Sequence, residues 1–548
     1  MPRTYPPLTI TFEREDWILP VVLARRAQSH GEKIYLREAE GQNRVWTYRE
    51  VATEASSIGS ALLRRGYRQG DRLALMMPNC PEYVLAWFGS ATAGIVEAPI
   101  NLEFCGGFLE RVLELLGPRG IVTTPELVER FIESAPRLSD NLEFFLVGES
   151  DDVQLTIPRL RRRGWSAHAF ESLRGTEASN RAVEIRRQDL ASIICTSGTT
   201  GPSKGVMMSQ AQQYLLAEES INLLRLRETD VVPLALPMFH SNAQFMTAYA
   251  ALVVGATVVL YEKFSASKFL QRAREDGLTV ANLLGEMMTW VWQQPATPDD
   301  RAHNLRCIMS VPTPASIAAE FRDRFGIEAV TEGFGLSETC FQFLSPYGED
   351  RPAGAAGLLC DEFFDVRLAD PETDEEVPVG EVGELLVRSK EPWLINLGYW
   401  RNAEATADAR RNLWFHTGDG LRRDEDGWYY FSDRIKDSIR RNGENISSFE
   451  VEQAVVEHPA VTDCAVVAVR PAEQGRDDDV MAVVVLDDPL SIEELVEWSG
   501  KRMPRFLWPR YWRITSDLPK TPSGKIQKAL LREQGVTVDT FDRKAEDG

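Results

Sequence analysis

Short apolar runs that alternate with helical periods constrain this chain more than any other feature of its sequence. Residues 72–77 (RLALMM) read as a strand, and residues 81–93 as the helix after it. Comparable apolar runs recur at 120–124, 142–147, 190–196 and 256–261, and a charged helical stretch at 126–131 succeeds the first of these. Strands that are apolar on both faces need cover on both faces, and strand-then-helix order implies parallel sheets flanked by helices. The expected fold class is therefore α/β. Residues 151–186 are polar and irregular, and predict a surface excursion.

Past about residue 374 the texture turns β-rich, with strands predicted over 381–388 and 427–431. A charged stretch, 433–445 (DRIKDSIRRNGEN), then ends in a glycine turn. Beyond it the pattern predicts a helix at 448–458, strands at 462–469 and 480–486, and a helix at 491–501. The chain has 548 residues, whereas single cores stop growing near roughly 250–300. The expected division is a large N-terminal domain, residues 1–435, made of helix-covered sheets plus a β-rich subdomain. A small α+β C-terminal domain, residues 436–548, lies beyond a boundary at Lys436.

Charge excludes one broad class. With 82 acidic against 61 basic side chains the net charge is −21, the wrong sign for a general nucleic-acid binder. The seven cysteines are scattered and form no CxxC pair, which predicts reduced thiols in a cytoplasmic protein rather than disulfides or a zinc site. Residues 1–16 (MPRTYPPLTITFERED) lack the apolar core of a signal peptide. The longest apolar stretch, 248–260, is broken by Gly255 and Thr257 and is too short to span a bilayer.

The sharpest chemical signal is residues 196–206, TSGTTGPSKGV, directly after the apolar run that ends at Cys195. Gly198, Gly201 and Gly205 allow tight turns and close approach of backbone N–H groups to an anion. The hydroxyls of Ser197, Thr199, Thr200 and Ser203 can donate to phosphate oxygens, and Lys204 adds a positive charge. The spacing is not that of a Walker A loop, which needs G-x4-G-K-[ST].

This loop resembles the signature loop of the adenylate-forming superfamily of acyl-CoA synthetases, luciferases and peptide-synthetase adenylation domains. Further stretches resemble the same family in the same order. They are LPMFHS (236–241), EGFGLSET (332–339), FHTGDG (415–420), DRIKD (433–437) and PKTPSGKI (519–526). The resemblance runs from about Trp46 to Arg532. It implies that the loop, through Thr196, Ser197, Gly198, Thr199, Thr200, Gly201 and Lys204, holds the β- and γ-phosphates of ATP. It also implies that Phe334, flanked by Gly333 and Gly335, stacks on adenine. Ser337 would reach the α-phosphate, Glu338 and Thr199 would hold Mg²⁺, and Asp419 and Arg434 would bind the ribose. His240 would border the acyl pocket without acting as a base. Lys525 is the implied catalytic lysine, and the loop Gly443, Glu444 and Asn445 would meet the pantetheine of coenzyme A.

On this likeness a carboxylic acid is joined to coenzyme A through an acyl-AMP, and the small domain turns about Lys436 between the two half-reactions. Residues 441–452 (RNGENISSFEVE) most resemble the branch of carnitine/crotonobetaine-CoA ligase-like proteins, which ranks coenzyme A above a carrier-protein thiol as acceptor. Arg440, Arg441, Arg502 and Arg505 are candidate contacts for its phosphates. Apolar Phe334, Leu336 and Phe341 suggest a largely apolar acid, and a homodimer is compatible with the sequence. One stretch departs from the family: residues 309–314 read MSVPTP where many relatives carry a glycine-rich segment against adenine. That opens the alternative of an enzyme specialised for the thioester half-reaction from a supplied acyl-AMP. A luciferase-like oxygenase and a carrier-protein acyl ligase are the other readings.

Overall fold

In the computed structural model Arg72–Met76 forms the predicted strand and Pro81–Thr92 the predicted helix, which begins on a proline and is buried along nearly all its length. Proline suits that first helical position because its missing N–H would have had no helical partner there. The structure describes residues 2–134, 141–175, 183–196, 204–314, 317–435, 438–441, 444–470, 478–487, 490–519, 526 and 528–543.

The strand Arg72–Met76 lies within a seven-stranded sheet. Its order is Ser166–Ala169, Glu143–Leu146, Gly120–Thr123, Arg72–Met76, Val96–Pro99, Leu190–Thr196 and Lys204–Ser209. All neighbours are parallel except the last pair. Two expectations are corrected here. Over its described first part, to residue 175, the predicted surface excursion 151–186 is instead regular structure: Ser150–Arg161 is a helix and Ser166–Ala169 is the sheet's first edge strand. The helix buries Val153, Ile157 and Leu160 on one side, a period masked in the sequence by its acidic start and arginine-rich end. The β-rich region, moreover, starts well before residue 374.

That region is a second seven-stranded sheet, antiparallel throughout. Its order is Gly333–Leu336, Cys340–Leu344, Ala355–Leu359, Trp428–Arg434, Phe415–Arg423, Gly383–Ser389 and Phe364–Ala369. A four-stranded sheet (Val231–Leu234, Thr257–Leu260, Ile34–Glu38, Val45–Thr47) and a parallel three-stranded sheet (Val280–Leu284, Cys307–Val311, Ala329–Thr331) complete the larger part. The smaller part has a two-stranded ribbon, Ser438–Arg441 with Glu444–Ser447. Its main sheet joins Val461–Val469, Asp479–Leu486, Tyr511–Thr515 and Phe541–Asp542. Helices Ser448–Val456 and Ile492–Gly500 lie where the sequence puts them. Phe506 of this part meets Phe104 of the larger one, ring centroids 6.3 Å apart.

The helix Gln210–Leu224 supports the hairpin formed by Gly333–Leu336 and Cys340–Leu344. It is buried at almost every position, although it carries Gln210, Gln212, Gln213, Glu218 and Glu219. It starts where the Ser209 hydroxyl accepts from the Gln212 N–H, a common N-cap. Distant backbone and hydroxyl groups satisfy much of its buried polarity, while Gln212 Oε1 and Glu219 Oε1 have no hydrogen-bond partner among the described residues. Glu218 accepts from the Thr11 N–H at 2.7 Å, and Gln213 donates to the Ser192 hydroxyl at 2.7 Å. All seven cysteines are thiols. Among the described residues no helix is long and apolar enough to cross a membrane.

Candidate active site

The phosphate-binding signature sits between two antiparallel strands. Leu190–Thr196 pairs with Lys204–Ser209, with Thr196 opposite Lys204. The element that follows the loop is a strand, Lys204–Ser209, so no helix dipole points at it. Ser197, Gly198, Thr199, Thr200 and Gly201 lie outside the described residues, as do Lys436, Gly443 and Lys525.

Lys204–Ser209 is the last strand of its sheet, and a strap, residues 396–400, covers it. Trp400 N–H donates to the Gly205 carbonyl (2.7 Å), Met207 N–H to the Gly398 carbonyl (3.0 Å), and Leu397 N–H to the Met207 carbonyl (2.8 Å). At its other end the strap grips the adenine motif, where Asn396 N–H donates to the Glu338 carbonyl at 2.7 Å. Tyr399 then joins two predicted site residues directly. The Lys204 ammonium lies over its ring, 4.7 Å from the centroid, and its hydroxyl donates to Glu338 Oε1 at 3.2 Å. Nothing in the sequence around Gly398-Tyr399-Trp400 had marked this tyrosine.

The adenine motif is a tight hairpin, Gly333–Leu336 against Cys340–Leu344. A methyl group built on Gly335 would overlap the Cys340 carbonyl oxygen and stand 2.7 Å from Phe341 Cα; one on Gly333 would stand 2.8 Å from the Phe341 ring. The glycines are there for close approach of two backbones. Gly335→Ala is expected to cost about 1–3 kcal/mol of stability by overpacking and to weaken ATP binding. A melting curve and ATP calorimetry check this, and a variant matching wild type in both contradicts it.

Two buried side chains of helix Gln210–Leu224 suspend the hairpin. Gln212 Nε2 donates to the Ser337 carbonyl at 2.9 Å, and Glu219 Oε2 accepts from the Phe341 N–H at 2.9 Å. Burial pushes the Glu219 carboxyl well above the usual carboxylate range, and the Phe341 N–H opposes the rise. Phe334 packs at 5.7 Å from the ring of Phe431, a residue that is 44% exposed. Ser337 and Ser241 bring their hydroxyls within 3.4 Å, which puts the residue after His240 beside the one expected to touch the α-phosphate. His240 is half-buried, its ring 4.5 Å from that of Phe239. It opens onto a π-helix, Asn242–Tyr249.

Asp419 is buried on Phe415–Arg423, directly opposite Arg434 in the ladder. Its turn is fixed by Glu384, which accepts from the Gly418 N–H at 3.0 Å and meets His416 Nδ1 at 3.0 Å. Ile435 N–H donates to the Gly418 carbonyl at 2.8 Å. The departing stretch 309–314 is anchored to the adenine motif. Thr313 N–H donates to Glu332 Oε2 at 3.0 Å, and Arg351 pairs with the same carboxylate at 2.5 Å. Burial raises the Glu332 carboxyl and Arg351 opposes the rise. Gly285 lies so close to the Pro312 carbonyl that a side chain there would overlap it.

Glu444 and Asn445 lie on the strand Glu444–Ser447 of the small ribbon. Arg441 is corrected as a ligand contact. Its guanidinium donates to Asp479 (3.0 Å) and to the carbonyls of Trp508 (2.7 Å) and Phe506 (2.9 Å), inside the small part of the chain. Arg502 lies over the Trp498 ring at 3.1 Å, whereas Arg505 is exposed. Among the described residues no cluster of three or more His, Cys, Asp or Glu side chains could hold a metal by itself. The oxygen donors at Glu338 suit a hard cation that also takes phosphate oxygens, the usual habit of Mg²⁺.

Comparisons with known proteins agree on one family. The model described as "AMP-binding enzyme" matches residues 23–400, and "AMP-binding enzyme C-terminal domain" matches 450–525. The chain is similar to the crotonobetaine/carnitine–CoA ligase of Salmonella typhi, 31% identical over 524 residues, which covers 92% of this chain and 97% of that one. It also resembles the structure of a Mycobacterium tuberculosis fatty acyl CoA synthetase, at 26% identity and a TM-score of 0.65, covering 94% of this chain and 98% of that one. A likeness of fold extends to o-succinylbenzoate CoA synthetase from Bacillus subtilis, with a TM-score of 0.77 at 23% identity, over 95% and 98% of the two chains.

Proposed function

Because the chain belongs to the AMP-binding enzyme family, we propose that it is an ATP-dependent, AMP-forming acyl-CoA ligase with the nucleotide held between the strap and the antiparallel sheet. The observation that carries this reading is the junction at Tyr399. Lys204 and Glu338 lie more than a hundred residues apart in sequence, yet one ring touches both.

A carboxylate is a poor acyl donor because oxide would have to leave. In the first half-reaction a carboxylate oxygen of the acid attacks the α-phosphorus of ATP. The bond to pyrophosphate breaks, leaving a mixed anhydride. In the second, the sulfur of coenzyme A attacks the acyl carbon, AMP departs with the C–O bond electrons, and the thiol proton is lost to solvent. Lys204 and the loop Thr196–Gly201 hold the phosphates, while Phe334 between Gly333 and Gly335 offers adenine a flat face. Asp419 and Arg434 take the ribose hydroxyls, and Ser337 the α-phosphate. His240 and Ser241 border the acyl group. Glu338, with Thr199, would hold Mg²⁺, which when bound neutralises phosphate charge. Lys525 approaches the carboxylate and α-phosphate as negative charge grows on them.

The two half-reactions need different groups at one place. We assign residues 1–435 to the nucleotide domain and 436–548 to a mobile domain turning at Lys436. One face brings Lys525 and the other brings Gly443, Glu444 and Asn445 to the thiol path. The acid itself is expected to be largely apolar. Acid-dependent ATP–pyrophosphate exchange, combined with mass spectrometry of the thioesters formed from fatty, aromatic, polycyclic and betaine acids, tests the proposal. Exchange with at least one acid and the matching thioester are expected. Thioester formed only from supplied acyl-AMP would favour the half-reaction specialist, and no thioester from any activated acid would refute the assignment.

A further inference from the structure

Opposite charges in one cleft tend to collapse onto each other, and a Lys204–Glu338 ion pair would have to be broken before ATP and its cation could enter. Among the described residues no such pair forms; Tyr399 stands between the two groups instead. We propose that Tyr399 is a positioning residue that keeps Lys204 and Glu338 apart, each partly compensated, at the spacing a metal–nucleotide complex needs. The inference rests on the acyl-adenylate reading above.

The tyrosine suits the task because its two ends differ. Its π-face carries partial negative charge and attracts the ammonium, while its hydroxyl, a donor, satisfies one carboxylate oxygen and leaves the other for a cation. Only 7% of Tyr399 is exposed. Its backbone is clamped on both sides: its N–H donates to the Thr406 hydroxyl at 2.9 Å, and its carbonyl accepts from the Asn402 N–H at 3.1 Å. Next to it, Trp400 pins the strap through its indole N–H to the Leu115 carbonyl at 3.0 Å. Gly398, at φ 124°, lets the strap bend into place; a side chain there would press on Thr406 at 2.8 Å. The ring therefore cannot swing away with either charge. A phenylalanine would keep the face and lose the donor; a leucine would lose both.

Calorimetric binding of ATP, with and without Mg²⁺, separates these contributions without turnover. In Tyr399→Phe the gain in ATP affinity caused by Mg²⁺ should shrink about fivefold, since one charge-assisted hydrogen bond orienting Glu338 is lost. Metal-free ATP binding should move by less than about twofold, as the ring face is kept. In Tyr399→Leu the spacer is gone, and metal-free ATP affinity should fall about tenfold. Adding Glu338→Gln to that variant should restore most of the loss, because the carboxylate that captures Lys204 is removed. A Tyr399→Phe protein with wild-type metal enhancement overturns the inference, as does a folded Tyr399→Leu that Glu338→Gln fails to rescue. Should the leucine variant not fold, the phenylalanine variant decides alone. Wild-type protein that binds no ATP overturns the acyl-adenylate reading and this inference together.

Discussion

Lys525→Ala should slow acyl-AMP formation by about 10²–10³-fold, the usual loss when one group aimed at developing charge is removed. Conversion of supplied acyl-AMP to thioester should suffer far less. The asymmetry comes from where charge develops. In adenylation, negative charge grows on the α-phosphate and carboxylate oxygens, and a lysine ammonium stabilises it there. In thioester formation AMP leaves already phosphorylated, and on the proposed alternation Lys525 has turned away. Single-turnover quench experiments on each half-reaction read the two rates separately. Equal losses in both would contradict the role given to Lys525.

The second large effect is on stability and concerns Glu97. This carboxyl sits in the middle of the parallel sheet, wholly buried, with Gln244 donating to Oε1 at 2.5 Å and no partner at Oε2 among the described residues. Burial pushes its pKa up from 4.5 to about 8, against a smaller opposing effect of Gln244. The folded chain thus keeps a proton that the unfolded chain gives up above about pH 4.5. Its contribution to stability is fully present below that pH and is lost as pH rises through about 8. The loss amounts to roughly 1.4 kcal/mol per pH unit across that window, or on the order of 3–5 kcal/mol in all. Glu97→Gln removes the titration while keeping an oxygen for Gln244, so its stability should vary less with pH. Denaturant unfolding of both proteins at about pH 5 and pH 8.5, which bracket most of that window, checks this; parallel pH dependences would rule it out.

Much of the candidate site could be proposed from sequence because its residues lie in contiguous signatures. The stretches 196–206, 332–339 and 415–420 each combine glycines, hydroxyls and a charge in a register that chance rarely provides, and each names its own residues. The strands also read well, since apolar runs such as 72–77 and 142–147 are short and bounded. What the sequence hid is what depends on distant contact. Helix Gln210–Leu224 reads as polar, with no clear apolar stripe, yet is buried because Gln212 and Glu219 bind backbone more than a hundred residues away. Tyr399 lies in none of the stretches read from the sequence, and its contacts appear only when the strap folds across Lys204–Ser209. Arg441 misled for the converse reason: a basic residue beside a ligand loop suggests phosphate, but Asp479 and two carbonyls had already claimed it.

The strap has a consequence beyond chemistry. A sheet that ends in a bare strand offers a row of open amides to any passing extended chain, and such rows seed aggregation. Here the outward-facing groups of Gly205 and Met207 are occupied by Leu397, Gly398 and Trp400, so those two positions are closed to a second molecule. The segment proposed to position Lys204 and Glu338 thereby also guards against neighbouring molecules zipping together, and damage to it should show as turbidity as well as lost turnover.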